Sequence, residues 1–241
     1  MASPPAQIVL FGSFAGTATA LGSLRVGRHT AAIGLGLVVA IFCVADGSHF
    51  IRVALGDLSR FLWRRKQRSL KEEDRAKYIV GPWDVDRNKH MNNAKFIRIG
   101  NYARRSFWAN AGVWNVALAN RVNLIVTATT IRYRRELRLF TSYQVISRLI
   151  YWDDKCFYSE HKFVVNNFVH AVQLVKYRVV GGQATMRMPR DLLSAVDPGL
   201  LKEGPPSLES MPELKAWIEY DHLSSIALRS TNQLDNMVTS I

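Results

Sequence analysis

The densest cluster of polar side chains in the sequence is the run Asp84–Asn93, DVDRNKHMNN. It holds two carboxylates, Asp84 and Asp86, and one imidazole, His90. A carboxylate can act on an acyl carbon as a nucleophile, or as a general base toward water. The run stands directly before a predicted helix, and the backbone N–H groups at a helix start favour a developing negative charge. These groups together could hydrolyse an acyl bond, with the helix start serving as an oxyanion hole.

The same residues also allow a purely structural interpretation. Asn92, Asn93 or either aspartate would be a favourable N-cap for the helix that follows. A single histidine such as His90 is more often a packed or surface residue than a catalyst. On the chemistry of the run alone, capping and catalysis are equally good predictions.

A strand and a long helix are predicted to position this run. Lys77–Trp83 has the pattern of a strand that ends at Gly-Pro, and Ala94–Asn110 has the pattern of a helix. One face of that helix carries residues at the i, i+4, i+7, i+11 spacing, namely Phe96, Gly100, Ala103 and Phe107. Gly112 suits the C-terminal end of the helix.

Four β-rich runs follow the helix: Val122–Arg134, Thr141–Trp152, Cys156–Val165 and Phe168–Val180. Asp153-Asp154 and Asn166-Asn167 separate the last three runs and have the chemistry of hairpin turns. The order of strand, helix and antiparallel meander predicts an α+β fold, in which a long antiparallel sheet wraps around one central helix. Gly181-Gly182 closes the sheet, and a short helix is predicted at Glu213–Arg229.

The N-terminal segment differs from the rest, because the first 45 residues contain no Asp or Glu. Two apolar runs lie there, Ile8–Leu24 and Ala31–Ala45, and each is shorter than the ~20 residues that span a bilayer comfortably. A basic stretch, Arg52–Lys71, follows them and would place that side in the cytoplasm. The apolar residues in and beside this stretch could also form a helix in the headgroup layer, through Phe50, Val53, Leu58, Phe61 and Leu62. These features predict N-terminal membrane-anchoring helices.

We expect this anchor in the endoplasmic reticulum, whose bilayer is thinner than the plasma membrane, with the catalytic domain facing the cytosol. An acid-free start rich in Ser, Thr and Ala also suits a mitochondrial transit peptide. A cleaved secretory signal and a soluble helical pair are two further alternatives. The predicted divisions are 1–50 for the anchor, 51–76 for a basic amphipathic linker, 77–182 for the strand-and-helix domain and 183–241 for a C-terminal extension.

The stretch DVDRNKHMNNAKFIRI resembles the loop-and-helix signature of hotdog-fold acyl thioesterases. It is similar to the Asp-x-Asn-x-His pattern of acyl-carrier-protein thioesterases and to the single acidic position of the 4-hydroxybenzoyl-CoA thioesterase group. The resemblance implies that Asp86 is the catalytic carboxylate, with Asn88 and His90 as its partners. We assign Asn92 and Asn93 to substrate binding. The sequence departs from many hotdog enzymes at Thr141-Ser142, where a Gly-Asp turn is common.

The similarity extends over most of the chain. From about Ala31, four stretches resemble a small membrane-associated branch of the same superfamily: HMNNAKFIR, IRYRRELRLF, YWDDKCFY and ELKAWIEYDHLSS. The resemblance implies hydrolysis of fatty acyl-CoA or acyl-carrier thioesters in lipid metabolism, by a homodimer with its site at the two-fold interface. The alternative is a non-catalytic acyl-lipid-binding or scaffold protein that keeps the hotdog shape.

The formal net charge of +13 favours an anionic partner, such as a nucleic acid, an acidic lipid surface or a phosphate-bearing ligand. Arginines crowd one strand end, where Glu136 is the only acid among them: Arg132, Arg134, Arg135 and Arg138. We predict that Arg134 and Arg135 bind coenzyme A phosphates. Lipid headgroups and a charged, protected strand edge are the alternatives. Nucleic-acid binding is disfavoured because no recognisable motif appears.

Cys43 and Cys156 are the only cysteines of the chain. They form no C-x-x-C pair and no metal-ligand spacing, so we predict no disulfide framework and no metal or cofactor. Two unrelated thiols favour a reducing, cytosol-facing location for the folded part.

Overall fold

The computed structural model describes residues 30, 33–39, 47–62, 67–181, 186 and 188–238. The chain divides into two compact units, Met1–Leu62 and Trp63–Ile241. The predicted apolar run Ile8–Leu24 and most of Ala31–Ala45 lie outside the described residues.

In the first unit, residues 33–39 are helical and helix α1 spans Gly47–Leu62. The apolar side chains of α1 are exposed at Phe50, Ile51, Leu55 and Leu58. Within the described ranges, every helix is too short or too polar to cross a bilayer. The N-terminal anchoring helices therefore stay a prediction.

The second unit is built on a five-stranded antiparallel sheet in the order β1-β3-β4-β5-β2. Its strands are β1 (Asp74–Ile79), β2 (Val122–Tyr133), β3 (Ser142–Trp152), β4 (Cys156–Val165) and β5 (Phe168–Gly181). Only β3, β4 and β5 form a meander, whereas β2 pairs with β5. The predicted four-strand meander is wrong at its first link, because β1 occupies the place beside β3 that β2 would have taken.

Helix α2, Asn93–Asn110, packs on one face of this sheet. Its buried residues are Phe96, Ile99, Gly100, Ala103, Phe107 and Trp108, which contain all four members of the predicted apolar face. The helix passes close to β5 at Gly100, where an added Cβ would lie 1.9 Å from Gln173 Oε1. The predicted α+β fold, with a long antiparallel sheet against one central helix, is confirmed.

The chain turns sharply after α2 at Gly112, whose φ of 79° lies in the left-handed region. A short helix α3, Val113–Ala119, begins at once. The glycine correctly predicted the end of α2, but the sequence pattern did not reveal α3, because seven residues are too few to show a helical period.

The two predicted hairpins exist, and one is longer than expected. Asn166 and Asn167 have φ values of 47° and 64°, as a two-residue turn of the type I′ class requires. The other turn contains three residues, Asp153–Lys155. Oδ1 of Asp153 accepts hydrogen bonds from the N–H groups of Lys155 and Cys156, both at 2.7 Å.

The C-terminal extension packs against the core in two places, the apolar cluster around Trp108 and the sheet face opposite α2. Helices α4 (Pro189–Val196) and α5 (Pro198–Glu203) bury Leu192, Leu193 and Leu200 against the apolar cluster around Trp108. Helix α6 spans Pro212–Val238, longer than the short helix predicted at Glu213–Arg229. Leu214 and Trp217 of α6 pack with Ile150, Cys156 and Tyr158, which project from the sheet face opposite α2.

A buried polar network interrupts the core beneath α2. Along β4 the side chains that face the helix are Phe157, Ser159, His161 and Phe163, and the two phenylalanines belong to different apolar clusters. His161 Nδ1 lies 2.8 Å from Ser147 Oγ, and its Nε2 lies 2.9 Å from Ser159 Oγ. Burial lowers the pKa of His161 to about 3, and the positive charge of Arg104 acts in the same direction. His161 is therefore a neutral hydrogen-bonding group of the core.

We expect this histidine to make the fold acid-sensitive. An unfolded chain binds a proton at His161 below pH ~6.5, whereas the folded chain does so only near pH 3. The free energy of unfolding therefore falls as pH drops through this window. Urea unfolding is expected to show that the free energy of unfolding of the wild type falls between pH 7 and pH 5. In His161→Asn this fall is expected to be smaller by about 2 kcal/mol. An equal fall in both proteins would contradict the role of His161.

Candidate active site

The run Asp84–Asn93 forms a closed loop that leads into α2. Val85 and Met91 make an isolated β-bridge across its base. Inside the loop, the N–H of Asp86 donates to His90 O at 3.1 Å, and the N–H of Lys89 donates to Asp86 O at 3.0 Å. Lys89 has a φ of 62°, which completes the tight turn. These contacts fix the backbone on which the predicted catalytic residues stand.

Asp84 is a buried structural carboxylate. Its Oδ2 accepts a hydrogen bond from the N–H of Gly81 at 3.0 Å, and its Oδ1 lies 3.9 Å from Lys95 Nζ. Its backbone carbonyl accepts from the N–H of Asn92 at 2.9 Å. Asp84 thus connects the turn after β1 to the first turn of α2.

Asp86 is placed differently, with a quarter of its side chain exposed. Its Oδ1 accepts a hydrogen bond from the backbone N–H of Asn88 at 2.8 Å. His90 Nδ1 lies 3.9 Å from the same oxygen, which is an ion-pair distance when the imidazole is protonated but too long for a hydrogen bond. The loop therefore brings Asp86 and His90 together, while Asn88 contributes its backbone and its side chain is exposed.

The two asparagines at the helix start have structural contacts. Asn92 is the N-cap of α2, and its side-chain oxygen accepts from the N–H of Ala94 at 2.9 Å. This is the capping role that the sequence left open. Asn93 is the exposed first residue of the helix, and its carbonyl accepts a hydrogen bond from Tyr133 Oη at 2.9 Å.

The arginine-rich segment after β2 lies against the same loop. The N–H of Met91 donates to Leu137 O at 2.7 Å, and His90 makes a β-bridge with Arg138. The guanidinium groups of Arg134 and Arg135 lie over the ring of Phe168, 5.1 and 5.6 Å from its centroid. Both arginines are exposed, so the structure places cationic groups on the segment that borders the loop at His90 and Met91.

Two residues at the end of β2 and just after it were not selected from the sequence. Tyr133 donates to the first carbonyl of α2, and burial raises the pKa of its phenol. Glu136 accepts a hydrogen bond from Arg138 Nε at 2.7 Å, and this contact holds the pKa of Glu136 below its usual value. The contact of Tyr133 is not visible in the local pattern, because it joins residues 40 positions apart.

No cluster of three or more potential metal ligands occurs in the ranges that the structure describes. At this loop the structure brings Asp86 beside His90 and joins His90 to Arg138 in a β-bridge.

The comparisons with known proteins agree with the sequence resemblance. The family model "Thioesterase-like superfamily" matches residues 80–196, a range that contains the loop, α2 and strands β2 to β5. Protein THEM6 of Xenopus laevis is 34% identical over 207 residues, which cover 85% of this chain and 95% of that protein. The chain belongs to the thioesterase-like superfamily.

Further relatives are found in this superfamily. Protein THEM6 of Danio rerio is 34% identical over 155 residues, covering 64% of this chain and 72% of that protein. These relatives confirm the resemblance to thioesterase superfamily member six.

Solved structures of similar shape include BH1999 gentisyl-coenzyme A thioesterase, with a TM-score of 0.44 and 15% identity over 51% of this chain and 98% of that chain. Another is hypothetical protein SAV2348 from Staphylococcus aureus in complex with CoA, with a TM-score of 0.46 and 17% identity over 59% of this chain and 92% of that chain.

Proposed function

We propose that this superfamily member is an acyl thioesterase that hydrolyses fatty acyl-CoA or acyl-carrier thioesters at a membrane. Asp86 acts as the nucleophile or as the general base. The observation that carries the proposal is the position of Asp86: a partly exposed carboxylate on a rigid loop directly before α2. The other carboxylate of the loop, Asp84, is buried and already engaged.

The reaction needs an attacking oxygen and a place for negative charge. Asp86 supplies the first, either by attacking the thioester carbon or by taking a proton from water. The positive end of the α2 dipole stabilises the negative oxygen of the tetrahedral intermediate. The carbon–sulfur bond then breaks, and the thiolate leaves and takes up a proton. His90, 3.9 Å from Asp86, is the nearby group able to carry that proton. If water attacked, the free carboxylic acid is the product; if Asp86 attacked, the acyl group stays on Asp86 as an anhydride until water hydrolyses it and frees the carboxylate.

The arginine-rich segment supports a phosphate-bearing carrier. Arg134 and Arg135 are exposed beside the loop, and arginine pairs well with phosphate oxygens. Their stacking on Phe168 holds the guanidinium groups in place at a modest entropic cost. We propose that they bind the phosphates of coenzyme A or of a phosphopantetheine arm.

Asp86→Asn is expected to abolish thioester hydrolysis and leave stability unchanged. The amide can still accept the hydrogen bond from Asn88, but it cannot attack or take a proton. Release of free thiol from a long-chain acyl-CoA by the full-length protein, followed with a thiol-reactive dye, measures the activity.

Asp84→Ala shows by comparison what loss of a structural carboxylate does to the loop. It removes a buried acceptor from the Gly81 N–H, so it is expected to lower the free energy of unfolding by about 1–3 kcal/mol. If Asp86→Asn releases thiol at the wild-type rate, Asp86 is not the catalytic carboxylate. If the wild-type protein releases no thiol, the acyl-lipid-binding or scaffold alternative is favoured.

A two-fold dimer is the second part of the proposal. Strand β2 is an edge of the sheet, and it exposes Ile125 and Val126. Edge strands with exposed apolar residues favour pairing with another chain. Light scattering in mild detergent is expected to give twice the 27.3 kDa protein mass. Ile125→Lys is expected to give the monomer, whereas Leu118→Lys, at an exposed position of α3, keeps the dimer.

Attachment to the endoplasmic reticulum membrane through residues 1–50 is the third part. The exposed apolar side of α1 and the basic residues around it support contact with an anionic bilayer. The full-length protein is expected to pellet with membranes and to resist extraction by high salt and alkaline carbonate. Salt would release a purely electrostatic attachment, because at 0.1 M the interaction between exposed charges is largely screened beyond about 10 Å. A protein found in mitochondria with its N-terminus removed would refute this localisation.

A further inference from the structure

Large apolar side chains are exposed on two turns that meet at Val80. Val80 itself is buried; its N–H donates to Thr141 O at 3.1 Å, and its carbonyl accepts from the N–H of Phe140 at 2.9 Å. The exposed residues on either side of this junction are Ile79, Trp83, Leu139 and Phe140, with 63%, 67%, 37% and 69% of their surface in solvent. We call these four residues the aromatic apex.

Phe140 has a backbone conformation that stability does not explain. Its φ of 62° lies in the left-handed region, which is a genuine outlier for a bulky side chain. The turn is held by the N–H of Thr141, which donates to Arg138 O at 3.0 Å. The ring gains little burial in return, since it is among the most exposed apolar side chains of the second unit. Strain of this kind is concentrated at functional positions.

Trp83 is also held in place while its ring faces solvent. Its turn is closed by the N–H of Asp84, which donates to Gly81 O at 3.0 Å. The indole lies directly against Gly81, where a Cβ would be 2.8 Å from Trp83 Cε2. A glycine at this position therefore lets the indole rest on the backbone and present its other face outward.

The surroundings of the apex are cationic. Arg87 and Lys89 are exposed in the adjacent loop, and 81% of the Arg138 side chain is in solvent. Two acids lie at the same surface, Asp86 and Glu136, and Glu136 pairs with Arg138 at 2.7 Å, so the cations exceed the surface acids by one. Exposed tryptophan and phenylalanine close in sequence to exposed basic residues match the chemistry of an anionic lipid headgroup layer.

We propose that the aromatic apex is a docking surface for an anionic lipid bilayer, into which Trp83 and Phe140 insert. A second copy of the chain is a less suitable occupant. The apex lies at the β1 edge of the sheet, whereas the exposed apolar strand able to pair with another chain is β2, at the opposite edge.

Docking there would place the candidate active site at the membrane surface, because Asp86 follows Trp83 by three residues. An acyl chain would then reach the loop from the lipid phase without crossing water. This consequence rests on the proposed thioesterase function, while the docking itself does not.

The test uses the full-length protein bound to phosphatidylcholine–phosphatidylserine vesicles that carry brominated acyl chains, which quench tryptophan at short range. The brominated chains are expected to quench a larger part of the tryptophan fluorescence in the wild type than in Trp83→Tyr. Trp217→Tyr is the matched control, because Trp217 packs against the sheet and its removal should leave the quenched part unchanged. The readout is local, so attachment through residues 1–50 does not affect the comparison.

A second variant separates docking from folding. Phe140→Gly suits the left-handed backbone, so we expect a melting temperature no lower than that of the wild type but weaker quenching of Trp83. Tyr220→Ala, at an equally exposed aromatic position on α6, should leave quenching unchanged.

Equal quenching in the wild type and Trp83→Tyr would overturn the proposal. A second result would also overturn it. If acrylamide quenches Trp83 less as the protein concentration rises in detergent without lipid, the apex is covered by a second copy of the chain. Neither readout needs turnover, so failure here leaves the thioesterase proposal standing, and loss of activity alone does not affect the docking result.

Discussion

The buried carboxylate of Asp84 holds together the three pieces from which the candidate site is made. It accepts from the turn after β1 through Gly81, approaches Lys95 on α2, and accepts through its backbone from Asn92, the N-cap of that helix. A carboxylate out of water is costly unless its oxygens are satisfied. Its contacts therefore define one arrangement of turn, loop and helix, and both the position of Asp86 and the orientation of Trp83 depend on that arrangement.

The core beneath α2 combines apolar packing with a buried hydrogen-bond network around His161. Phe157 and Phe163 lie in separate apolar clusters, and the hydrogen bonds of His161 to Ser147 and Ser159 lie between them along β4. Apolar contacts alone tolerate small shifts of a helix along a sheet. A buried network with fixed partners does not, because a shift leaves polar groups unpaired. The network thus helps to keep the start of α2 aligned with the loop.

Three surface features of the second unit lie near the start of α2. The loop offers a partly exposed carboxylate, the segment after β2 offers cations, and the turns at Val80 offer exposed aromatic rings. Meanwhile α6 covers the sheet face opposite α2 through Leu214 and Trp217, aided by a 2.7 Å ion pair between Lys176 and Asp221. The proposed catalysis, anion binding and membrane contact would therefore lie side by side on one surface, while the core stays covered.

The sequence alone determined the features that arise from neighbouring residues. The helical face through Phe96 and Phe107, the turn at Asn166-Asn167 and the end of α2 near Gly112 follow from side-chain period and local backbone preference. The family also follows from the sequence, since the motif around Asp86 lies in one continuous stretch. That Asn92 caps α2 was one of two interpretations that the residue types allowed.

Only the tertiary structure decided which of two nearby aspartates is buried, which strand pairs with β5, and which two turns meet at Val80. Asp84 and Asp86 are alike in type and two positions apart, and only contacts to Gly81 and Lys95 distinguish them. The place of β2 beside β5 and the contact of Tyr133 with Asn93 join residues some 40 or more positions apart. Local pattern carries no information about such pairs, because their free energy depends on what the rest of the chain buries and leaves exposed.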